Sequence, residues 1–411
     1  MLDADQLPNT ETGNLTRAHG RFATVRRIGD TIVMARDRLG LNKLYFALDH
    51  QRGLIAANYL VDLVGAGIPF ESIYAVPAGT ATLVNLRRRT IDVNRYYQLP
   101  RSAGGTAQPQ RQLKVARNRL SGSIRLIAAA YPSAVVAVCL SGGLDSSLIA
   151  ALAQQHFADV AAYTYTFDDP TGQLSPDAIA AQRLASWLGM EHHLVTAEEN
   201  KILDVVPRAL RFGQDWRDFN LHCAIVNELL AEAIATETSA AGQPVLVLTG
   251  DLMNEILGDY TPLHYRGREY YSLPNIAPDL LRISLVRGLQ CGDREVGVFA
   301  ARNLIAIQPY EQIFDDLLKI PSNLTKRDVI GALAGDLLPP ESYDRPKARA
   351  QIGGPIPQGG ILPLLVDSGR RGDRLEDEFC DAIGMPNRLV LRGRIRTGIY
   401  RFPSRFPPEA A

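Results

Sequence analysis

Residues Ser141 to Ser147, Ser-Gly-Gly-Leu-Asp-Ser-Ser, place three hydroxyls, two glycines and one carboxylate within seven positions. That set suits a polyphosphate. The first backbone N–H groups of a helix lack internal partners and carry the positive end of its dipole. Gly142 and Gly143 let the chain approach phosphate oxygens, and the Ser141, Ser146 and Ser147 hydroxyls can donate to them. Asp145 would repel phosphate unless Mg²⁺ stood between them, which makes it a metal-ligand candidate. Ser-Gly-Gly alone reads more simply as a capped turn between a strand and a helix; the full run favours phosphate.

The elements around the run place it. Val135 to Leu140 is a short β-branched apolar stretch closed by glycines, the pattern of a strand buried in a parallel sheet, and Leu148 to Leu152 continues as helix. Strand and helix then alternate at Val160–Phe167, Asp177–Leu188, Leu221–Ala235 and Val245–Leu248. The expected fold is α/β, a parallel sheet with helices on both faces. Earlier, FATVRRIGDTIVMARDR reads as a hairpin around Gly29-Asp30, followed by strands at Lys43–Ala47, Leu54–Ala57, Thr80–Asn85 and Thr90–Val93, a small antiparallel β domain. Arg101 to Gln110 has linker composition, and Arg111 to Tyr131 has helical spacing. The expected division is residues 1–100, a linker at 101–110, an α/β domain at 111–385 and a basic tail at 386–411, where six arginines from Arg388 to Arg405 face a lone Glu409.

The 411 residues hold 44 basic and 44 acidic side chains, so no global field draws in nucleic acid or a membrane surface. The four cysteines, Cys139, Cys223, Cys291 and Cys380, have no CxxC or metal-ligand spacing and read as reduced thiols of a cytoplasmic protein. No apolar run reaches membrane-spanning length. Ligands must be recognised locally.

The Ser141–Ser147 run resembles the pyrophosphate loop of ATP pyrophosphatases, and the sequence from about Gly20 to Gly354 is similar, with interruptions, to the asparagine synthetase family and its β-lactam synthetase relatives. The resemblance implies a PP-loop fold of the adenine nucleotide alpha-hydrolase type, with ATP and Mg²⁺ as cofactors. Gly20-Arg21-Phe22-Ala23, the ARDRLGLNKLYFA run from Ala35 and Pro77-Ala78-Gly79 resemble the later half of the family's N-terminal glutaminase domain. That domain's catalytic N-terminal cysteine has no counterpart, since Leu2 follows Met1. Glutaminase chemistry is therefore not expected of this chain.

The same resemblance implies further residues. Thr249-Gly250-Asp251-Leu252-Met253-Asn254-Glu255 is similar to the family's G-x-G-[SA]-D-E element, with Gly250 at the nucleotide and Asp251 where β-lactam synthetases carry a Tyr that helps deprotonate the amine. Leu252 replaces the second Gly, and Asn254 replaces the metal-binding Asp. An amide oxygen still ligates Mg²⁺, more weakly than a carboxylate. LLPPESYDRPKARAQIGG resembles the element whose Lys contacts pyrophosphate, which makes Lys347 a catalytic and pyrophosphate-binding candidate. The family's second catalytic acid aligns with Ile305, leaving Glu295 as a weak substitute. Phe167-Asp168-Asp169 falls where the family holds adenosine, but a solvated turn explains the two acids somewhat better; Asp177 at a helix start is equally a dipole partner. His192 and His193 are expected at the surface.

These readings lead to an ATP-dependent carbon–nitrogen ligase. It would adenylate a small-molecule carboxylate and transfer the acyl group to ammonia or an amine, with a place in secondary metabolism and a homodimer as further expectations. The alternatives are a catalytically impaired nucleotide-binding relative acting as a partner protein, and a tRNA-modifying PP-loop enzyme, which the neutral charge disfavours.

Overall fold

The computed structural model describes residues 20–49, 53–169, 172–287, 292–345, 349–352 and 359–386. Lys347 and the arginines from Arg388 onward lie outside the described residues. The first elements are the expected hairpin: β1 (Ala23–Ile28) and β2 (Thr31–Arg36) pair antiparallel around Gly29, whose φ of 58° suits a residue without a side chain. With β3 (Tyr45–Asp49), β4 (Gly53–Ala57), β5 (Tyr74–Ala75), β6 (Thr80–Asn85) and β7 (Thr90–Arg95) they build two sheets, ordered β1-β2-β6-β7 and β4-β3-β5.

The alternation on β3 has two destinations. Phe46 joins Met34, Val84 and Ile91 in a core between these sheets. Tyr45 and Ala47 face the other way and join a core with Ile202, Val206 and Leu210 of the helix Glu199–Gly213. The β region thus completes its burial against the rest of the chain. Residues 101–108, read as a linker, form no helix or strand, but they are a packed strap: Ala103 is buried, and its N–H donates to the Asp279 carbonyl.

Five strands make the parallel sheet: β8 (Val135–Cys139), β9 (Val160–Phe167), β10 (Glu191–Ala197), β11 (Val245–Leu248) and, after the short hairpin β12 (Leu263–Tyr265) and β13 (Arg268–Tyr270), β14 (Ile305–Ile307). Their order is β10-β9-β8-β11-β14. Both faces are covered, as the apolar runs require. Val136 and Val138 join a core with Leu113 and Leu120 of the helix Pro109–Ala130, while Ala137 joins the opposite core with Ile225 and Leu229 of the helix Asp218–Glu237.

Strand order fixes where a ligand can sit. From β8 the chain builds outward through β9 to β10, then returns to place β11 against the free side of β8. The loops leaving the carboxyl ends of β8 and β11 therefore diverge from adjacent strands, a crevice where open parallel sheets bind ligands. His192 and His193 are half-buried on the edge strand β10 rather than freely exposed: His192 Nε2 lies 2.9 Å from Thr164 Oγ1, and His193 contacts Glu191 and Glu237. Among the described residues no helix is long and apolar enough to cross a membrane.

Candidate active site

Both sides of the crevice are set by close backbone contact. A Cβ on Gly142, at φ 66°, would come within 2.6 Å of the Ala181 nitrogen, and one on Gly250 within 2.6 Å of the Ser146 nitrogen. Glycine is what lets the two loops and the helix Pro176–Leu188 meet. Ser146 Oγ then organises the loop internally, accepting from the Ser141 N–H at 3.1 Å and donating to the Gly143 carbonyl at 3.1 Å. Ser147 is different: its buried Oγ has no partner among the described residues, leaving a donor for a ligand oxygen.

Asp145 opens the helix Leu144–His156 beside these hydroxyls. Its Oδ2 lies 2.7 Å from the Lys326 ammonium, and its Oδ1 is buried without a partner among the described residues. Lys326 also donates to Asn254 Oδ1 at 2.5 Å and pairs with Asp259 at 2.9 Å. Burial alone would depress the lysine, but Asp145 and Asp259 outweigh it and hold its pKa above the ordinary value. The structure thus brings together Asp145 and Asn254, both expected at a metal, around a lysine the sequence reading missed. The missed signal is local. Lys326 is the first residue of the helix Lys326–Ala334, behind a Thr325–Asp328 capping box, where a cation opposes the dipole.

The residue set fits Mg²⁺ arriving with a polyphosphate. Mg²⁺ takes one or two protein carboxylates and completes its shell with phosphate oxygens and water. Asp145 and Asp259 supply two carboxylates, Asn254 a carbonyl oxygen, and the orphaned Asp145 Oδ1 an open position. Among the described residues no group of three or more His, Cys, Asp or Glu side chains forms a self-sufficient metal cage.

Across the same turn lies a buried charge cluster. Arg294 binds Asp251 through both carboxylate oxygens, at 2.7 and 2.6 Å from Nη2, and reaches Glu255 Oε1 at 2.9 Å and Asn220 Oδ1 at 3.2 Å. Burial lifts Asp251 above the usual carboxylate range, with Arg294 opposing. Burial would lift Glu255 too, yet Arg294 and the Tyr260 hydroxyl, 2.6 Å from Oε1, hold it below that range. Arg294 and Glu295 sit on a π-helical turn, Gly292–Gly297, a geometry that recurs at functional sites. Glu295 accepts from Thr249 at 2.8 Å and Gln308 at 2.7 Å, and burial, followed by the nearby Asp251 charge, pushes its pKa up to about 8.

Leu252 marks the turn between the two clusters. It is fully buried at φ 85°, a strained conformation for a residue with a side chain, at the position read as a replaced glycine. Arg345, also missed, pairs with the buried Asp177 and donates to the Ser141 carbonyl at 3.3 Å, tying the helix start to the loop. Asp177 thus has an arginine partner, beyond the helix dipole. Asp168 is exposed at the end of β9.

Residues 128–296 match the asparagine synthase family model. This part of the chain, under half of its length, resembles the asparagine synthase family. A probable glutamine-hydrolysing asparagine synthetase of Acanthamoeba polyphaga mimivirus is 24% identical over 269 residues, covering 60% of this chain and 47% of its own length. A carboxyethyl-arginine β-lactam synthase of Streptomyces clavuligerus is 24% identical over 388 residues, covering 87% and 69%. The chain thus spans less than half of the mimiviral protein. A solved NMN synthetase from Francisella tularensis covers 73% of this chain and 98% of its own, at 16% identity and a TM-score of 0.34. The family match ends at residue 296 and so includes Asp145, Asp251, Asn254, Arg294 and Glu295, while Lys326 lies beyond it.

Proposed function

We propose that the chain is an ATP-dependent, AMP-forming amide ligase. A substrate carboxylate attacks the α-phosphate of ATP, giving an acyl-adenylate and pyrophosphate; a nitrogen nucleophile then attacks the acyl carbon, giving an amide and AMP. The observation that carries this reading is the Ser141–Ser147 loop at the sheet's switch point, with Lys326 held between Asp145 and Asn254 beside it. The family match over residues 128–296 and the similarity to a β-lactam synthase support it.

The chain's own groups divide the work. Loop N–H groups and the Ser147 hydroxyl take phosphate oxygens, and Lys326 balances charge that builds on the departing pyrophosphate. Lys347, from its resemblance alone, is proposed as a second such cation. Mg²⁺, held by Asp145 and Asn254 with Asp259 alongside, would neutralise phosphate charge and align its oxygens. Asp251, raised by burial and steered by Arg294, is the base for the amine proton in the second step.

The test is carboxylate-dependent ATP–pyrophosphate exchange, screened across carboxylic acids at high Mg²⁺, with AMP measured on adding amines or ammonium. Exchange with at least one acid, and AMP release that needs a nitrogen nucleophile, is the expected result. ATP binding with neither AMP nor pyrophosphate formed would favour the second reading, an impaired nucleotide-binding relative. The strained Leu252 and the amide at Asn254 motivate that reading.

A further inference from the structure

Beside the Met253–Leu257 turn lies a cavity of 180 Å³. Its walls include Phe219, Tyr260, Tyr271, Leu285, Arg294 and Glu255. Successive residues of a helical turn point about 100° apart. Asn254 accordingly meets Lys326 at the loop while its neighbour Glu255 lines this cavity.

The polar atoms of the wall are paired, with one exception. Arg294 directs all three guanidinium nitrogens at Asp251, Asn220 and Glu255. The Tyr260 hydroxyl is on Glu255 Oε1, that of Tyr271 is 2.8 Å from His222 Nδ1, and Ser272 donates to Glu269. Asn220 donates to Asp215, which also receives Arg217. Among the described residues, Glu255 Oε2 alone of these atoms is buried with no partner, in a residue only 4% exposed. An acceptor left open among satisfied donors calls for a ligand that donates. An ammonium group carries three donors and the charge that complements the Glu255 carboxylate.

We propose that this cavity binds the amine substrate, seating its ammonium on Glu255 Oε2 and its carbon framework between Phe219, Tyr260 and Tyr271. The nucleophile is then a compact organic primary amine and not free ammonia. The volume favours this choice, because 180 Å³ holds about six water-sized molecules where ammonia needs the space of one. Arg294 joins Glu255 to Asp251, so a seated amine lies next to the group proposed to take its proton. This inference rests on the ligase reading for its purpose, but the binding step stands by itself.

Direct calorimetric binding separates the two. Full-length protein is titrated with n-propylammonium, glycinamide and benzylammonium, against ammonium, benzyl alcohol and phenylacetate, alongside the exchange assay. The inference expects organic amines to bind at least tenfold more tightly than ammonium, with Glu255→Gln weakening them at least tenfold. Leu285→Trp fills the cavity without touching the charges and should abolish benzylammonium binding; it keeps the test open where Glu255→Gln fails to fold. Amines that bind no better than ammonium, unchanged affinity in Glu255→Gln, or preferential binding of phenylacetate lost in Leu285→Trp would each overturn it. Amine binding in a protein with no exchange activity would leave the cavity assignment standing and remove the ligase reading.

Discussion

The Lys326 ammonium stands 2.7 Å from Asp145 Oδ2 and 2.5 Å from Asn254 Oδ1, so the strand β8 loop and the strand β11 loop meet through one cation. A Mg²⁺ serving the same oxygens shares them with a lysine and finds one carboxylate fewer than Asn254→Asp would offer. Wild type should therefore need more Mg²⁺ than Asn254→Asp for half-maximal pyrophosphate release. Lys326→Met should slow exchange on the order of 10² to 10³, as for loss of one charge-stabilising group in a closed site. Exchange rates equal to wild type in Lys326→Met, read under saturating ATP, would remove the lysine from the reaction.

Glu295 makes stability depend on pH in a defined direction. Burial and the nearby Asp251 push its pKa up to about 8 in the folded chain, from an ordinary value of 4.5. Between those values the native state holds a proton the unfolded state releases, so stability falls as pH rises. Its contribution is fully present below about pH 4.5 and lost by passage through pH 8, with a slope of up to about 1.4 kcal/mol per pH unit. Glu295→Gln should flatten the Tm profile across that window; parallel profiles for the two proteins would disprove the assignment.

The parallel sheet was legible because its strands are buried on both faces and so appear as unbroken apolar runs: Val160–Phe167 and Val245–Leu248 match the observed strands residue for residue. The loop was legible because glycine and serine spacing is local. Arg294 and Glu255 were not, because each owes its role to partners distant in sequence, Asp251 and Asn220 for the first and Arg294 for the second, and Lys326 left only the local hint of a cation at a helix start. The ARDRLG run illustrates the converse. It was noticed as a family feature, and the structure gives its Arg36 and Asp37 a scaffold role: Arg36 donates to the carbonyls of Asn42, Val76 and Gly40, while Asp37 accepts from the Leu39, Leu41 and Asn42 N–H groups.

Arg38 from that run binds Glu311 at 3.0 Å and Asp315 at 2.9 Å, joining the β region to the segment after β14. Burial, partly offset by Arg38, pushes Glu311 up to about 7. Arg38→Ala leaves Glu311 buried without its cation, a loss typically worth about 3–5 kcal/mol. The carboxyl escapes part of that cost by taking up a proton, so the destabilisation should be larger at pH 8 than at pH 5.5. Urea unfolding at both pH values measures it, and an equal loss at the two would show that Glu311 is not the group responsible.

Asp251 decides how the second half-reaction is run. Its two oxygens face Arg294, and burial keeps its pKa above the usual range, so it is poised to exchange a proton while remaining fixed in place. Asp251→Asn keeps the shape, and its amide oxygen still accepts from Arg294, but the side chain loses the capacity to take a proton. As a base, Asp251 acts only after the adenylate exists. Carboxylate-dependent ATP–pyrophosphate exchange should then survive in Asp251→Asn within a few-fold, while amine-dependent AMP release falls about 10² to 10⁴, the usual worth of a positioned base. Loss of exchange itself, in a variant whose unfolding curve matches wild type, would place Asp251 among the groups that hold the nucleotide and its metal, leaving the amine proton to another acceptor.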